Sequence, residues 1–373
     1  MNIFIATLFL LLIAQFVILL VFVVKSLKQR AMFKNEGSVH ETVNVLDSFD
    51  VIIAARESKE LIRHCLLNLR NIGFRNVYLC IDGSDIGTVN SIRKDFPEYT
   101  ILFNQKGEGK IRAQLKCLNE AKQANILVID ADIVLIDKPI VEFLSYFIES
   151  GVDFLCPYSL GYYNKRNWLS EIAECDRHMR QRIVRAGRDA YGVSNLSGYC
   201  MAANRNKYWD IIDTESIQDD VSATISLFQK GYNVKTFHKI VCKEIERQSL
   251  KSYLLQKTRW TAGNICLIPS YRKLFKTAPL AQSVAFSSSF LLWYWAQWID
   301  FIAFITAFFY PPIFYILIME GIVKYFGLKS VRDFGDHSHE MSYILAWPLL
   351  STICLLMAPY YLIGRISDKS TRR

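Results

Sequence analysis

The sequence predicts an α/β domain with a mostly parallel sheet, set between apolar segments that are long enough to cross a membrane. Three observations support this fold class. The chain begins with a long uncharged apolar run, residues 49–158 alternate short apolar strands with amphipathic helices, and the last third of the chain is apolar again. Apolar strands that alternate with helices are typical of parallel sheets covered by helices on both faces.

The N-terminal segment is predicted to be a retained membrane anchor. Residues 2–24 carry no charge, and a helix of that length crosses a hydrocarbon core of about 30 Å. Lys25, Lys28 and Arg30 follow directly, which favours a cytoplasmic location for the region after the anchor. A cleaved signal peptide is the alternative, but it requires basic residues before a shorter apolar run.

Five strands are predicted in the middle of the chain: FDVIIAA (49–55), NVYLCID (76–82), TILFN (100–104), NILVID (125–130) and VDFLCPY (152–158). Helical spacing lies between them, as in 58–73 and 110–124. Ligands of such sheets bind beyond the carboxyl ends of the strands. The polar residues found there are Arg56, Glu57, Asp82, Asp130 and Asp132.

The C-terminal third is predicted to hold two or three spans. Residues 284–323 suit either one span with a membrane-bound extension or two spans, and 342–364 suit another. The basic tail favours an even number, hence two. Asp300 lies inside an apolar run, where an ionisable group usually faces protein or a water-filled path. Trp293, Trp295 and Trp298 suit either an aromatic belt or a sugar-binding channel.

Composition excludes several classes of protein. The nine cysteines form no CxxC pair, which argues against a zinc site or a disulfide framework. His337 and His339 lack a third ligand and are expected to be solvated. The net charge of +9 is consistent with basic residues beside anionic lipid. No nucleic-acid-binding motif is present.

Two acidic motifs are candidates for chemistry. Asp130 and Asp132 end an apolar strand, where two carboxylates one residue apart can bind a divalent cation. Such a pair also commonly begins a solvated turn. Asp219 and Asp220 precede an amphipathic helix. They are either carboxylates favoured at a helix N-terminus or a general base beside a sugar hydroxyl.

Two further motifs suit a diphosphate. Lys110 follows a glycine-bearing loop and opens a helix, which is a favourable place for phosphate. Gln256, Arg259 and Trp260 form a QxxRW motif just before the membrane region. Here Arg259 is either a diphosphate clamp or a lipid-facing neighbour, and Trp260 is either a platform for a sugar ring or an interfacial anchor.

Together these motifs are far more specific than each alone. Their order resembles that of the processive family 2 glycosyltransferases, which include hyaluronan, chitin and cellulose synthases. The resemblance extends over about residues 49–265, and is closest to the hyaluronan and chitin synthase branch. The stretches that carry it are CIDGSD (80–85), GKIRA (109–113), LSGYCMAANR (196–205), QDDVSA (218–223) and QKTRW (256–260).

The resemblance implies a GT-A type nucleotide-sugar-binding domain and a role for each motif. Asp220 would be the general base, with Asp219 beside it. Asp132 would bind Mg²⁺ or Mn²⁺, and Asp130 the ribose or the metal. The donor, a UDP-sugar, would be held by Glu57, Asp82, Lys110, Gln256 and Arg259. The acceptor would meet Ser197, Gly198, Tyr199 and Trp260.

This resemblance implies polymer synthesis with β-linkage, coupled to export through the lipid bilayer. Transfer of a single sugar to a membrane lipid is the alternative, and an inactive membrane scaffold is a third. The expected organisation is 1–24 anchor, 25–48 cytoplasmic linker, 49–250 catalytic domain, 251–283 QxxRW and interfacial helices, 284–364 membrane region and 365–373 basic tail. The oligomeric state stays open.

Overall fold

The computed structural model describes residues 3–35, 45–56, 59–83, 86–162, 167–213, 219–245, 249–277, 279–290, 296–330 and 340–371. Contacts within the chain divide it into two units. We call residues 36–162 and 194–245 the sheet unit. We call residues 1–35, 163–193 and 246–373 the helical unit.

Among the described residues of the sheet unit, eight strands form one sheet. Their bounds are β1 (Phe49–Ala55), β2 (Val77–Asp82), β3 (Thr100–Asn104), β4 (Asn125–Asp130), β5 (Ile133–Leu135), β6 (Phe154–Tyr162), β7 (Cys200–Asn204) and β8 (Val234–Ile245).

The described helices belong to both units. Their bounds are α1 (Ile3–Asn35), α2 (Lys59–Ile72), α3 (Ile86–Asp95), α4 (Lys110–Glu120), α5 (Asp137–Ser150), α6 (Trp168–His178), α7 (Ala186–Asp189), α8 (Arg205–Ile211), α9 (Asp219–Gln229), α10 (Leu250–Cys266), α11 (Ile268–Thr277), α12 (Leu280–Phe290), α13 (Ala296–Ala307), α14 (Pro312–Ser330) and α15 (Glu340–Thr371).

The sheet is mixed and mostly parallel, with the order β3-β2-β1-β4-β7-β6-β8-β5. Strands β1 to β4 pair in parallel, and so do β6 and β8. Strand β7 runs antiparallel to both β4 and β6, and β5 runs antiparallel to β8. The prediction of an α/β, mostly parallel sheet is confirmed, while β5, β7 and β8 were not among the predicted strands.

The core of the sheet unit follows the apolar pattern of the sequence. Strand β1 is buried nearly throughout, because helices cover the sheet. Helix α2 buries Ile62, Cys65, Leu66 and Leu69, a spacing that places one apolar stripe against the sheet. The chain then turns at Gly73, whose φ of 103° favours glycine.

The helical unit has a continuous helical run in which α6 and α7 are joined by a π-helix, Met179–Arg185. Asn167 and Ser170 form a capping box at its start. Close packing fixes its other end, since a Cβ atom on Gly187 would lie 2.8 Å from Cδ1 of Phe22 and 2.9 Å from its carbonyl oxygen. The run therefore lies tightly against α1.

Two described helices are long and apolar enough to cross a membrane, judged by length and composition: Ile3–Phe33 and Ser342–Ile363. They correspond to the predicted anchor and to the predicted 342–364 span. Residues 284–323 are divided among α12, α13 and α14. Trp293, Trp295, His337 and His339 lie outside the described residues, as does the side chain of Trp298.

Candidate active site

The carboxyl ends of β2 and β4 lie at one edge of the sheet, on either side of β1. Ile53 of β1 is in register with Leu79 of β2 and with Ile129 of β4. Asp82 is the last residue of β2, Asp130 is the last residue of β4, and Asp132 follows two residues later. The edge predicted to bind a ligand therefore carries these three carboxylates.

Asp82 organises the glycine-bearing loop that precedes α4. Its side chain is 2% exposed and accepts hydrogen bonds from the backbone N–H groups of Glu108 (2.8 Å) and Gly109 (2.9 Å). The Asn104 side chain donates a third hydrogen bond at 3.2 Å. In this structure the Asp82 carboxylate thus holds the loop from which Lys110 emerges.

Two glycines allow that loop to approach the end of β2. A Cβ atom on Gly83 would lie 3.1 Å from the Cα atom of Gly107. Both residues have positive φ angles, 73° and 66°, a backbone conformation that glycine adopts without steric cost. The CIDGSD and GEGK stretches of the sequence therefore meet backbone to backbone.

Lys110 is the centre of an ionic cluster. Its Nζ atom lies 2.7 Å from Oδ1 of Asp130 and 3.6 Å from Oδ2 of Asp219, and it donates a hydrogen bond to the carbonyl oxygen of Gly198 at 3.1 Å. Burial lowers the pKa of Lys110, but the attraction of the two carboxylates outweighs it, so the net pKa is raised. Lys110 is therefore a permanent cation at this edge.

Asp219 and Asp220 are the first residues of α9 and face the same small pocket as Lys110 and Gly198. A Cβ atom on Gly198 would lie 3.7 Å from Oδ2 of Asp220 and 3.7 Å from Nζ of Lys110. Asp220 accepts a hydrogen bond from the Val221 N–H at 2.9 Å. Both roles foreseen for the pair are thus compatible with its place at a helix N-terminus.

The SGY stretch is held by neighbouring strands. Ser197 is 3% exposed, the Asp130 N–H donates to the Tyr199 carbonyl oxygen at 3.1 Å, and the Tyr199 hydroxyl donates to the Pro157 carbonyl oxygen at 2.7 Å. These contacts fix Gly198 beside the acidic pair.

Tyr208 and Asp213 are among the residues of this pocket that sequence reasoning missed. The Tyr208 hydroxyl is buried and donates to Oε1 of Gln114 at 3.1 Å. Asp213 accepts a hydrogen bond from the Ser222 hydroxyl at 2.9 Å. No motif marked either residue, because both reach the pocket through the packing of α8 and α9.

The two carboxylates of the DxD motif form an incomplete donor set for a divalent cation. Within the described ranges, no three His, Cys, Asp or Glu side chains are grouped closely enough to bind a metal by themselves. Burial first, and then Asp132 and Asp130, raise the pKa of the nearby Cys65 thiol to about 12, so it stays protonated. Asp130 and Asp132 fit a hard cation whose remaining oxygen ligands come from phosphate and water.

The QxxRW motif lies on α10, in the helical unit. Arg259 is exposed, whereas Gln256 and Trp260 are half-buried. The Trp260 ring centroid is 4.9 Å from the Arg180 guanidinium and 4.2 Å from the Lys257 ammonium. The motif therefore presents its arginine to solvent and places two cations against its tryptophan.

Asp176 of α6 forms ion pairs with both of those cations. Sequence reasoning did not identify this residue. It is fully buried and lies 2.6 Å from Nζ of Lys257 and 3.0 Å from Nε of Arg180. Burial lowers the pKa of Lys257 to about 8, against the opposing attraction of Asp176. Glu57 and Gln218 lie outside the described residues.

Comparisons with known proteins agree with this fold. A mannosyltransferase from Pyrobaculum calidifontis, solved in complex with GDP-Man and Mn²⁺, superposes with a TM-score of 0.62 and 14% sequence identity, over 95% of this chain and 98% of its own. No curated protein sequence matches the chain. The family model described as glycosyl transferase family group 2 matches residues 125–323. Because this match spans more than half of the chain, the protein belongs to that glycosyltransferase family.

Proposed function

We propose that this glycosyltransferase moves a sugar from a UDP-sugar to a growing polysaccharide at a membrane, with inversion at the anomeric carbon. The observation that carries the proposal is the pocket lined by Lys110, Gly198, Asp219 and Asp220. It lies at the carboxyl end of β4, where Asp130 contacts Lys110 and Asp132 follows. The pocket combines the Lys110 cation with one carboxylate beside that cation, Asp219, and one beside Gly198, Asp220. Displacement of a diphosphate requires both positive charge for the leaving group and a base for the attacking hydroxyl.

Asp220 is the general base of the proposed reaction. Its carboxylate faces the pocket beside Gly198, where the absence of a side chain leaves room for an acceptor hydroxyl. It takes the proton of that hydroxyl as the oxygen attacks the anomeric carbon and the diphosphate leaves. One displacement of this kind converts an α-linked donor into a β-linked product.

Lys110 and Asp219 determine the charge that surrounds the reacting groups. Asp219 lies 3.6 Å from the Lys110 ammonium, so its negative charge is balanced and it serves as a positioning residue. The Lys110 cation attracts the donor phosphates to the edge of the sheet. Asp82, through its hydrogen bonds to the loop, sets where Lys110 begins α4.

Asp132 and Asp130 would hold Mg²⁺ or Mn²⁺ in this proposal. The bound cation would stabilise the negative charge of the departing diphosphate, which removes the need for a general acid. The mannosyltransferase with a similar fold was solved with Mn²⁺ and GDP-Man, and this supports both a divalent cation and a nucleotide-sugar donor here. Glu57, Gln256 and Arg259 as donor ligands, and Ser197 and Trp260 as acceptor contacts, stay predictions of the resemblance.

The membrane assignment rests on α1 and α15. Their apolar stretches, Ile3–Phe33 and Ser342–Ile363, suit an anchor at each end of the chain. Lys25, Lys28 and Arg30, which follow the uncharged run 2–24, favour a cytoplasmic catalytic domain. Transfer of one sugar to a membrane lipid is the second candidate, because two spans suffice to hold an enzyme beside a lipid acceptor that needs no path for a polymer.

The experiment that tests the proposal is release of UDP from a panel of UDP-sugars, and of GDP from GDP-mannose, by purified protein in detergent with Mn²⁺ or Mg²⁺. The products are then sized. Release with a UDP-sugar and a high-mass product supports polymer synthesis. Release that requires added lipid and gives a small product selects the second candidate, and no release with any donor revives the inactive scaffold.

A further inference from the structure

A buried polar cluster in the helical unit includes Asp300, the ionisable residue that the sequence places inside an apolar run. It comprises Gln15 on α1, Asp300 on α13, and Glu320 and Lys324 on α14; we call it the Lys324 cluster. Gln15, Asp300 and Glu320 are at most 5% exposed. The neighbouring side chains on the same three helices form an apolar cluster that contains Leu8, Leu12, Ala303, Ala307 and Ile313.

The contacts within the Lys324 cluster connect all three helices. The Lys324 ammonium lies 2.8 Å from Oδ2 of Asp300 and 2.7 Å from Oε1 of Glu320. The Gln15 amide nitrogen donates to Oδ1 of Asp300 at 2.5 Å and to Oε1 of Glu320 at 2.7 Å. Two carboxylates thus converge on one ammonium and one neutral amide.

The cluster has one negative charge too many when both carboxylates are ionised. A buried charge without a counter-ion is costly, and two carboxylates that share a site are not readily ionised together. Two buried oxygens, Oε1 of Gln15 and Oε2 of Glu320, also have no hydrogen-bond partner among the described residues. A proton on the carboxylate pair removes the excess charge, and on Oε2 of Glu320 it would turn that unpaired acceptor into a hydroxyl donor.

We propose that Asp300 and Glu320 together bind one proton, which makes the Lys324 cluster neutral and holds α1 against α13 and α14. Among the described residues, the Tyr343 phenol of α15 also lies within electrostatic reach of Asp300, and a phenol is ordinarily neutral below about pH 10. The site is independent of the sugar-transfer proposal.

A bound proton has a defined consequence for stability. The carboxyls of the unfolded chain release their protons near about pH 4, whereas the folded pair keeps one proton to higher pH. The stability that this proton contributes is therefore complete below the unfolded value. It is lost as the pH rises through the titration of the folded pair.

Thermal unfolding of the full-length protein in detergent, between about pH 5 and pH 9, tests the proposal. The variants are Glu320→Gln and Asp300→Asn, which imitate the protonated pair, and Glu60→Gln, an exposed control on α2. Between about pH 5 and the pH at which the folded pair releases its proton, the wild type should lose roughly 2 °C in Tm for each pH unit, and at higher pH this loss should level off. Glu320→Gln and Asp300→Asn should lack this loss and exceed the wild type at about pH 9, while Glu60→Gln should follow the wild type.

Infrared spectroscopy provides a readout that does not depend on stability. The wild type at neutral pH should show the stretching band of a protonated carboxyl, and both cluster variants should lack it. A Tm for Glu320→Gln below that of the wild type at every pH, without a protonated band, would mean that both carboxylates are ionised and would overturn the proposal. Stabilisation of the wild type by Na⁺ at about pH 9, lost in Glu320→Gln, would overturn it in favour of a metal cation.

Discussion

The two units of this protein each place a lysine between two carboxylates, with opposite results. In the sheet unit, the side chains of Lys110, Asp130 and Asp219 are 34%, 30% and 27% exposed. In the helical unit, those of Lys324, Asp300 and Glu320 are 16%, 5% and 3% exposed. Because the side chains in the sheet unit reach solvent, a charged substrate can replace one of their ion-pair partners. The side chains in the helical unit are buried, so they bind only one another.

The largest effect is expected from the acidic pair of the accessible site. Asp220→Asn should lower turnover by about 10²–10⁴-fold, because a positioned base contributes that much. Nucleotide binding should be retained, as measured by titration calorimetry with UDP. Asp219→Asn should keep more activity, since its role is to balance Lys110; equal losses in the two variants would remove the distinction between base and positioning residue.

The lysines themselves provide the most direct test of the comparison. Lys324→Met should destabilise the protein by about 3–5 kcal/mol, because it leaves buried carboxylates without their cation. Lys110→Met removes a part-exposed ion pair and should cost only about 0–1 kcal/mol, while abolishing UDP release. Denaturant unfolding with parallel assays checks both, and equal destabilisation would break the contrast between the two units.

Lys257 offers a smaller effect with a definite sign. Its folded-state pKa of about 8 lies below the ordinary value, so between about pH 8 and pH 10 the unfolded chain binds more protons than the folded one. Stability should rise across this window by up to about 1.4 kcal/mol for each pH unit. Lys257→Met should remove the rise in unfolding experiments, whereas exposed Lys251→Met should leave it unchanged.

The smallest effect on stability is expected at Gly198. An alanine Cβ there would make ordinary contacts of 3.7 Å with Asp220 and Lys110, so the unfolding free energy should change by less than about 0.5 kcal/mol. The same methyl group occupies space in the pocket, and turnover should fall. Unchanged turnover in Gly198→Ala would mean that the acceptor does not pass beside residue 198.

Sequence reasoning found the first four strands because each is a short apolar run, and a helix follows each of the first three. It did not find β7 or β8, which depend on pairing with distant strands. The Asp130 and Asp219 motifs were visible because each lies at the end of a regular element. Their connection through Lys110 needed the fold.

The helical unit was less accessible to sequence reasoning. Asp300 was conspicuous alone within an apolar run, but Gln15 is 285 positions away from it. Likewise, nothing in the QxxRW motif indicated that Asp176 would form ion pairs with Lys257 and Arg180 beside Trp260. Polar contacts between remote helices leave no local period in the sequence, so only the tertiary structure shows them.

The π-helix between α6 and α7 determines where this segment of the chain can lose a residue during evolution. A π-turn carries one more residue than an α-helical turn, so deletion of one residue from Met179–Arg185 would restore α-helical spacing without breaking the helix. Later side chains would keep their place around the axis, and Gly187 would stay against Phe22. Deletion of one residue from α6, with the π-turn retained, would instead rotate them by about 100°, and a residue with a Cβ atom would take a place that has room for none.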